Sequence, residues 1–110
     1  MTEYSATRAL RADAKTVRDI LVDTSRLPDW NPAVRSVTTT DREAIVGRKY
    51  PTVTRLPGRA SLTYTRIEPG GVDWRLEAPG AIEVGRWRIT SLGNATAVTH
   101  TMAHSGPIFV

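Results

Sequence analysis

The chain has 110 residues, enough for one domain and too few for a second hydrophobic core. Its apolar fraction of 40% and charged fraction of 24% are typical of globular proteins, and the absence of cysteine excludes disulfides and thiolate metal sites. The net charge of +4 comes from arginines scattered along the sequence, so a nucleic-acid surface, which needs clustered cations, is not expected.

The start of the chain predicts no targeting segment. Residues 1–5 have no apolar run behind a basic start, as a signal peptide would require. No stretch of the sequence approaches the length of a membrane span. We therefore expect a soluble cytoplasmic protein without a membrane span, and no motif in the sequence calls for a cofactor.

The first third of the chain predicts a strand, a helix and a short second helix. Residues 4–10 alternate as an opening strand does, and Asp13 is a good N-cap for a helix over residues 14–22. Apolar residues recur at helical spacing within that stretch. Thr24 and Ser25 are predicted to cap a second helical piece, which two nearby prolines keep short.

The rest of the chain predicts strands joined by short turns. Gly93 and Asn94 are predicted to form the turn of a hairpin between the last two strands. Successive strands with short connections form an antiparallel meander, which has one apolar face to bury. The predicted strands are residues 34–40, 45–53, 60–67, 72–78, 82–92 and 95–102.

Two motifs near the N-terminus resemble a known family. The runs over residues 12–17 and 23–32 are similar to the START-like (SRPBCC) superfamily, and most similar to its polyketide cyclase/dehydrase and lipid-transport group. The resemblance covers nearly the whole chain. It implies an α+β helix-grip fold of the Bet v 1 kind, formed by a single domain over residues 1–110. Such a domain has a curved antiparallel sheet of six or seven strands, an N-terminal helix pair and a cavity for a hydrophobic ligand on the concave face.

The C-terminus departs from the pattern of that family. Its members usually end with a long helix that lies across the concave sheet and closes the cavity. This sequence ends at Val110, and Pro107 suits the first position of a helix. We expect the chain to end where the gripping helix would begin. Either the sequence is truncated or a second chain covers the sheet, for which a homodimer is one arrangement.

Apolar and aromatic side chains are the first candidates for a ligand site. Trp74 and Leu76 share one side of their strand, and a bulge at Gly85 would bring two neighbouring aliphatic residues onto the face of Trp87. Trp30 is predicted to anchor the helix pair on the sheet. The candidate ligand-binding residues are Tyr64, Trp74, Leu76, Ile82, Val84, Trp87 and His100.

Polar residues offer fewer candidates. His100 is expected on the concave side, where it could act as a general base. His104 is expected to be exposed, and without a third ligand the two histidines predict no metal site. Asn31 is interpreted as a turn residue before proline. The remaining polar groups that could meet a ligand or lie solvated on the convex face are Glu83, Arg66 and Arg75.

Three functions are compatible with these residues. The first is binding of a hydrophobic small molecule such as a lipid, a polyketide or a quinone-like compound. The second is a polyketide aromatase/cyclase-type enzyme, in which His100, Tyr64 or Arg66 would assist enolisation and dehydration. The third is a protein-interaction module that uses the open sheet. The sequence has no Ser-His-Asp arrangement, phosphate loop or carboxylate pair that would demand catalysis.

Overall fold

The protein is a seven-stranded antiparallel sheet with two short helices on one face. The computed structural model describes residues 2–31, 34–39, 41–55 and 58–106. The helices are α1 (Ala14–Val22) and α2 (Leu27–Trp30), with a 3-10 turn at Thr24–Arg26 between them. The strands are β1 (Thr2–Leu10), β2 (Val34–Val37), β3 (Lys49–Thr54), β4 (Ala60–Glu68), β5 (Gly71–Ala78), β6 (Ala81–Ser91) and β7 (Thr96–Ser105).

The strands lie in the order β1-β7-β6-β5-β4-β3-β2, and every neighbouring pair is antiparallel. This arrangement confirms the predicted α+β meander, which β1 extends by pairing with β7. We call the face on which the helices pack the inner face; it is the concave face of the prediction. The opposite face is the outer face.

Helix α1 has the predicted bounds and the predicted cap. The side chain of Asp13 accepts a hydrogen bond from the backbone N–H of Thr16 at 2.7 Å. Val17, Leu21 and Val22 are buried, so the apolar stripe of the helix faces the sheet. None of the helices among the described residues is long and apolar enough to cross a membrane.

The cap of the second helical piece differs from the prediction. Asp23, rather than Thr24 or Ser25, precedes the 3-10 turn, and its carboxylate accepts from the backbone N–H of Ser25 at 3.0 Å. The hydroxyl of Thr24 instead donates to the backbone carbonyl of Asp41. The predicted anchoring by Trp30 concerns a side chain outside the described part, and a C-terminal helix beginning at Pro107 also lies outside the described residues.

Strand β3 begins later than predicted because the segment before it turns. Gly47 has a φ of 84°, a left-handed conformation that interrupts the extended chain. The hydroxyl of Tyr50 accepts from the N–H of Ile45 at 2.9 Å and donates to Asp41 at 2.6 Å, and Arg48 pairs with the same carboxylate. These bonds fix the loop against the strand.

Candidate ligand-binding site

Gly85 allows a tryptophan to lie across the inner face. Strands β5 and β6 pair without interruption, and Trp74 lies directly opposite Gly85. A Cβ atom at Gly85 would be 2.1 Å from the indole of Trp74, so only glycine leaves space for the ring. The predicted bulge at Gly85 is therefore wrong, and the glycine serves a close side-chain approach instead.

Because β5 and β6 pair regularly, two candidate residues lie on the outer face. Ile82 lies opposite Glu77 and Val84 opposite Arg75, so both point away from Trp74 and Trp87. The prediction that Ile82 and Val84 share the face of Trp87 is wrong, because side chains alternate strictly in an uninterrupted strand.

The irregularity in the sheet occurs in β4 instead, between Tyr64 and Arg66. Tyr64 is fully buried on the inner face, and its hydroxyl donates to the backbone carbonyl of Leu21 at 2.7 Å. Burial raises the pKa of this phenol far above its usual range. Tyr64 thus connects the end of α1 to the sheet, and its hydroxyl is used within the fold.

Arg66 lies on the outer face, where its guanidinium pairs with Glu68. The contact with this carboxylate raises the pKa of Arg66. Arg75 is also on the outer face and pairs with Glu77 at 3.2 Å. The three residues suggested for an aromatase/cyclase reaction therefore do not converge: of His100, Tyr64 and Arg66, only His100 lies on the inner face near its uncovered side.

His100 stacks on Trp87 and lies next to Trp74 on the inner face. Its ring lies 4.0 Å from that of Trp87, with an angle of 8° between the planes, and 5.4 Å from that of Trp74. Desolvation by burial lowers the pKa of His100 to about 4. The imidazole is therefore neutral at pH 7, and its face is turned toward that of Trp87, so the two rings form an uncharged aromatic pair on the inner face.

A polar group lies farther along the same two strands. Glu83 is only 5% exposed, and its carboxylate contacts Asn31 Nδ2 at 3.4 Å and His104 Nε2 at 3.2 Å. The predictions of an exposed His104 and of Asn31 as a simple turn residue are wrong. The side chain of His104 is 16% exposed and Asn31 is buried, because both serve this carboxylate.

Within the described part of the chain, the helices leave part of the inner face uncovered. Helix α1 packs on β5 and β6, whereas Tyr4 on the edge strand β1 is 60% exposed although it faces inward beside His104. Trp87, His100 and Met102 are half-buried at the boundary between the covered and the uncovered part of the inner face. The inner face is thus accessible from the β1 side.

Two other features of the described surface do not add to this site. A groove of about 650 Å³ lies on the far side of α1, but its rim carries charges of both signs, among them Lys15, Asp19 and Arg42. Such a lining is typical of a solvated surface and does not suit an apolar ligand.

Among residues 2–31, 34–39, 41–55 and 58–106, no group of three metal-ligating side chains is close enough to hold an ion.

Comparison with protein families decides the assignment. The model of the family described as "Polyketide cyclase / dehydrase and lipid transport" matches residues 1–109. The chain belongs to this family. A search of curated proteins gives no match.

Solved structures agree with this polyketide cyclase/dehydrase fold. A START superfamily protein from Mycobacterium smegmatis is 17% identical, with a TM-score of 0.71 over 98% of this chain and 79% of the other. A protein from Deinococcus radiodurans is 16% identical, with a TM-score of 0.73 over 94% and 83% of the two chains. The di-domain ARO/CYC BexL from the BE-7585A biosynthetic pathway is 16% identical, with a TM-score of 0.68 over 96% of this chain and 36% of BexL. At these identities the likeness concerns the fold, which is START-like.

The pairing of Glu83 with His104, which the sequence analysis did not predict, could have been found from one turn. The two-residue turn at Gly93 and Asn94 pairs β6 with β7 in a fixed register, in which Trp87 lies opposite His100 and Glu83 opposite His104. Because Glu83 and Trp87 are an even number of residues apart, they share a face in a regular strand. Asn31 carries no comparable signal, since it reaches Glu83 from the end of α2.

Proposed function

We propose that this member of the polyketide cyclase/dehydrase family binds a flat hydrophobic small molecule on the inner face of β6 and β7. The observation that supports the proposal is the parallel stack of Trp87 and His100, half-buried at the edge of the uncovered part of the sheet. Neutral aromatic rings in such a position favour a planar polyketide or quinone-like compound over a flexible acyl chain, because a further ring can pack against the pair.

The candidate residues differ in burial, and this difference separates those that could contact a ligand from those that belong to the core. Trp74 and Tyr64 are 0% exposed and Leu76 is also buried, so in this structure none of the three offers surface to a ligand. Trp87 and His100 retain accessible surface, and Met102, which lies opposite Gly85 between them and the polar group, joins them. Burial of apolar area against these side chains supplies roughly 25 cal/mol per Å² before the cost of ordering the ligand.

Pyrene is a suitable probe because it is flat, apolar and fluorescent. We expect saturable binding of pyrene to the wild-type protein, detected by the change in its emission as it leaves water. Trp87→Leu should weaken binding by about tenfold or more, because it removes one aromatic wall worth about 1.4 kcal/mol. Arg86→Leu is the matched control, since Arg86 is the exposed neighbour on the outer face.

Equal weakening by both substitutions, or the absence of saturable binding to the wild type, would contradict the proposal. Far-UV circular dichroism of each variant separates the loss of the aromatic wall from the loss of the fold. Binding to Arg86→Leu should match that of the wild type.

The homodimer, in which a second copy of the chain would cover the open part of the sheet, remains a prediction. Light scattering at several protein concentrations, with and without pyrene, reports whether the chain forms a dimer. A mass that stays at 12.1 kDa at every concentration would contradict a homodimer.

A further inference from the structure

The two edges of the sheet differ in how well they are protected from pairing with another strand. Strand β2 has four residues, and its register with β3 is broken between Val34 and Ser36. Strand β1 has nine residues and pairs with β7 without a break from Thr2 to Leu10. A short or irregular edge resists pairing with a further strand, whereas a long regular edge is a template for it. Strand β1 is therefore the edge at which a strand can be added.

The outward side of β1 offers backbone groups that the fold does not use. Within the described part of the chain, β1 pairs with β7 alone. Alternate residues of an edge strand direct their N–H and C=O groups away from the sheet. Residues 3–10 are all exposed, and the strand contains no proline or lysine, which edges often use against pairing. This side of β1 is open to a strand from another chain.

The sequence of β1 is complementary to itself in an antiparallel pair. The register that uses all nine residues places Ala6 opposite Ala6 of a second copy, on a two-fold axis. In this register Tyr4 lies opposite Arg8 of the second copy on the inner face. Ser5 lies opposite Thr7 of the second copy on the outer face. Each of these contacts occurs twice, once on either side of the axis.

The charged residues of β1 suit this register. A guanidinium that lies over a tyrosine ring makes an attractive cation–π contact. Tyr4 is 60% exposed and Arg8 is exposed, and Arg8 has no ion-pair partner among the described residues. Glu3 lies opposite the small side chain of Ala9, so no two like charges lie opposite each other. The charges of the strand therefore favour this pairing instead of opposing it.

The outer face of β1 also continues across the axis. Within one copy the hydroxyl of Ser5 lies 3.3 Å from that of Thr101, and the hydroxyl of Thr7 lies 3.0 Å from that of Thr99. Placing Ser5 beside Thr7 of a second copy joins these two pairs into one row of four hydroxyl groups. Cross-strand hydroxyl pairs of this kind stabilise antiparallel sheets.

We propose that the protein forms a homodimer in which the β1 strands of two copies pair antiparallel about Ala6 and join the two seven-stranded sheets into one. The pairing forms about eight to ten backbone hydrogen bonds, as many as a typical protein–protein interface contains. It extends the sheet and covers neither face. It therefore differs from the predicted homodimer in which a second copy covers the sheet, and it does not depend on ligand binding.

A single cysteine tests the position of the axis, because the chain has none of its own. In Ala6→Cys the two Cβ atoms lie opposite each other, about 4.5–5.5 Å apart, close to the separation that a disulfide spans. We expect mild oxidation to convert most of this variant into a disulfide-linked dimer on a non-reducing gel. Ala9→Cys is the matched control on the same strand. Its thiol lies opposite Glu3, about 20 Å from the other thiol, and the variant should stay monomeric on that gel.

Charges placed on the axis test the pairing without a covalent bond. Ala6→Lys and Ala6→Glu each place like charges opposite each other, so each should weaken dimerisation by about three- to fivefold in light scattering at several concentrations. An equimolar mixture of the two variants should dimerise at least as well as the wild type, because opposite charges then face each other. Far-UV circular dichroism checks that each variant is folded, as expected for an exposed position.

Several results would overturn the edge pairing. Equal linkage of Ala6→Cys and Ala9→Cys, or linkage of neither, would place the axis elsewhere. A wild-type mass of 12.1 kDa at every concentration would exclude the dimer. A mixture of the two charge variants that associates no better than either alone would also contradict it. Pyrene binding tests only the proposed function, so the two proposals can fail independently.

Discussion

The inner face has two halves that differ in what covers them. In the covered half, formed by β4, β5 and the part of β6 that contacts α1, Leu62, Tyr64 and Trp74 are completely buried. In the open half, formed by β7 and β1, His100 is half-buried and Tyr4 is mostly exposed. Both halves carry aromatic rings at inward positions, so composition does not distinguish them.

The length of the helices accounts for the difference. Helix α1 has nine residues and is about 14 Å long, and α2 adds only four residues. A seven-stranded sheet is about 28 Å wide at the usual spacing of 4.7 Å between strands. The helices can therefore bury one half, which acts as the core, and among the described residues nothing else packs on the other half.

The largest expected effect is in the covered half. Trp74→Ala should lower the free energy of unfolding by about 3–5 kcal/mol, because it removes a fully buried indole and leaves a cavity over Gly85. Tyr4→Ala, the matched change in the open half, should lower it by less than about 1 kcal/mol. Urea denaturation of both variants measures the difference. Similar losses would contradict the division into two halves.

Tyr64→Phe tests the connection between the covered half and α1. The variant removes the hydroxyl that donates to the carbonyl of Leu21, and leaves that buried carbonyl without this donor. We expect a loss of about 1–3 kcal/mol in the free energy of unfolding. The affinity for pyrene should change little, because this hydroxyl does not reach the open half. A large loss of pyrene binding in a stably folded Tyr64→Phe would place the phenol in the site instead.

A smaller effect is expected from the protonation of His100. Its pKa is about 4 in the folded protein and near 6.5 in the unfolded chain, so the unfolded chain binds more protons between these values. The folded protein should therefore lose stability as the pH falls from 6.5 to 4, by less than about 1.4 kcal/mol per pH unit because the ring is only half-buried.

The variant His100→Phe isolates this contribution. It retains a ring against Trp87 but cannot take up a proton, so its free energy of unfolding should depend less on pH in the same window. Urea denaturation at several pH values between 4 and 7 measures both curves. Parallel curves for the variant and the wild type would show that another group causes the pH dependence.

Local patterns predicted most of the fold. Asp13 and the apolar stripe behind it defined α1, and the turn at Gly93 and Asn94 defined the hairpin of β6 and β7. These features depend on neighbouring residues alone, so one sequence is sufficient to recognise them. The site was predicted less well, because a single bulge decides which face a residue occupies. Placing that bulge at Gly85 put Ile82 and Val84 on the wrong face, whereas the irregularity is in β4.

By itself, the sequence determined the α+β class, the order of helices and strands, and the aromatic residues that are candidates for a ligand site. Only the tertiary structure decided which of those residues are accessible. It buried Trp74 over Gly85, used the hydroxyl of Tyr64 to hold α1, and brought Asn31 from the end of α2 to the carboxylate of Glu83. The physical reason is that periodicity encodes the face of a strand, whereas burial depends on what packs against that face from distant parts of the chain.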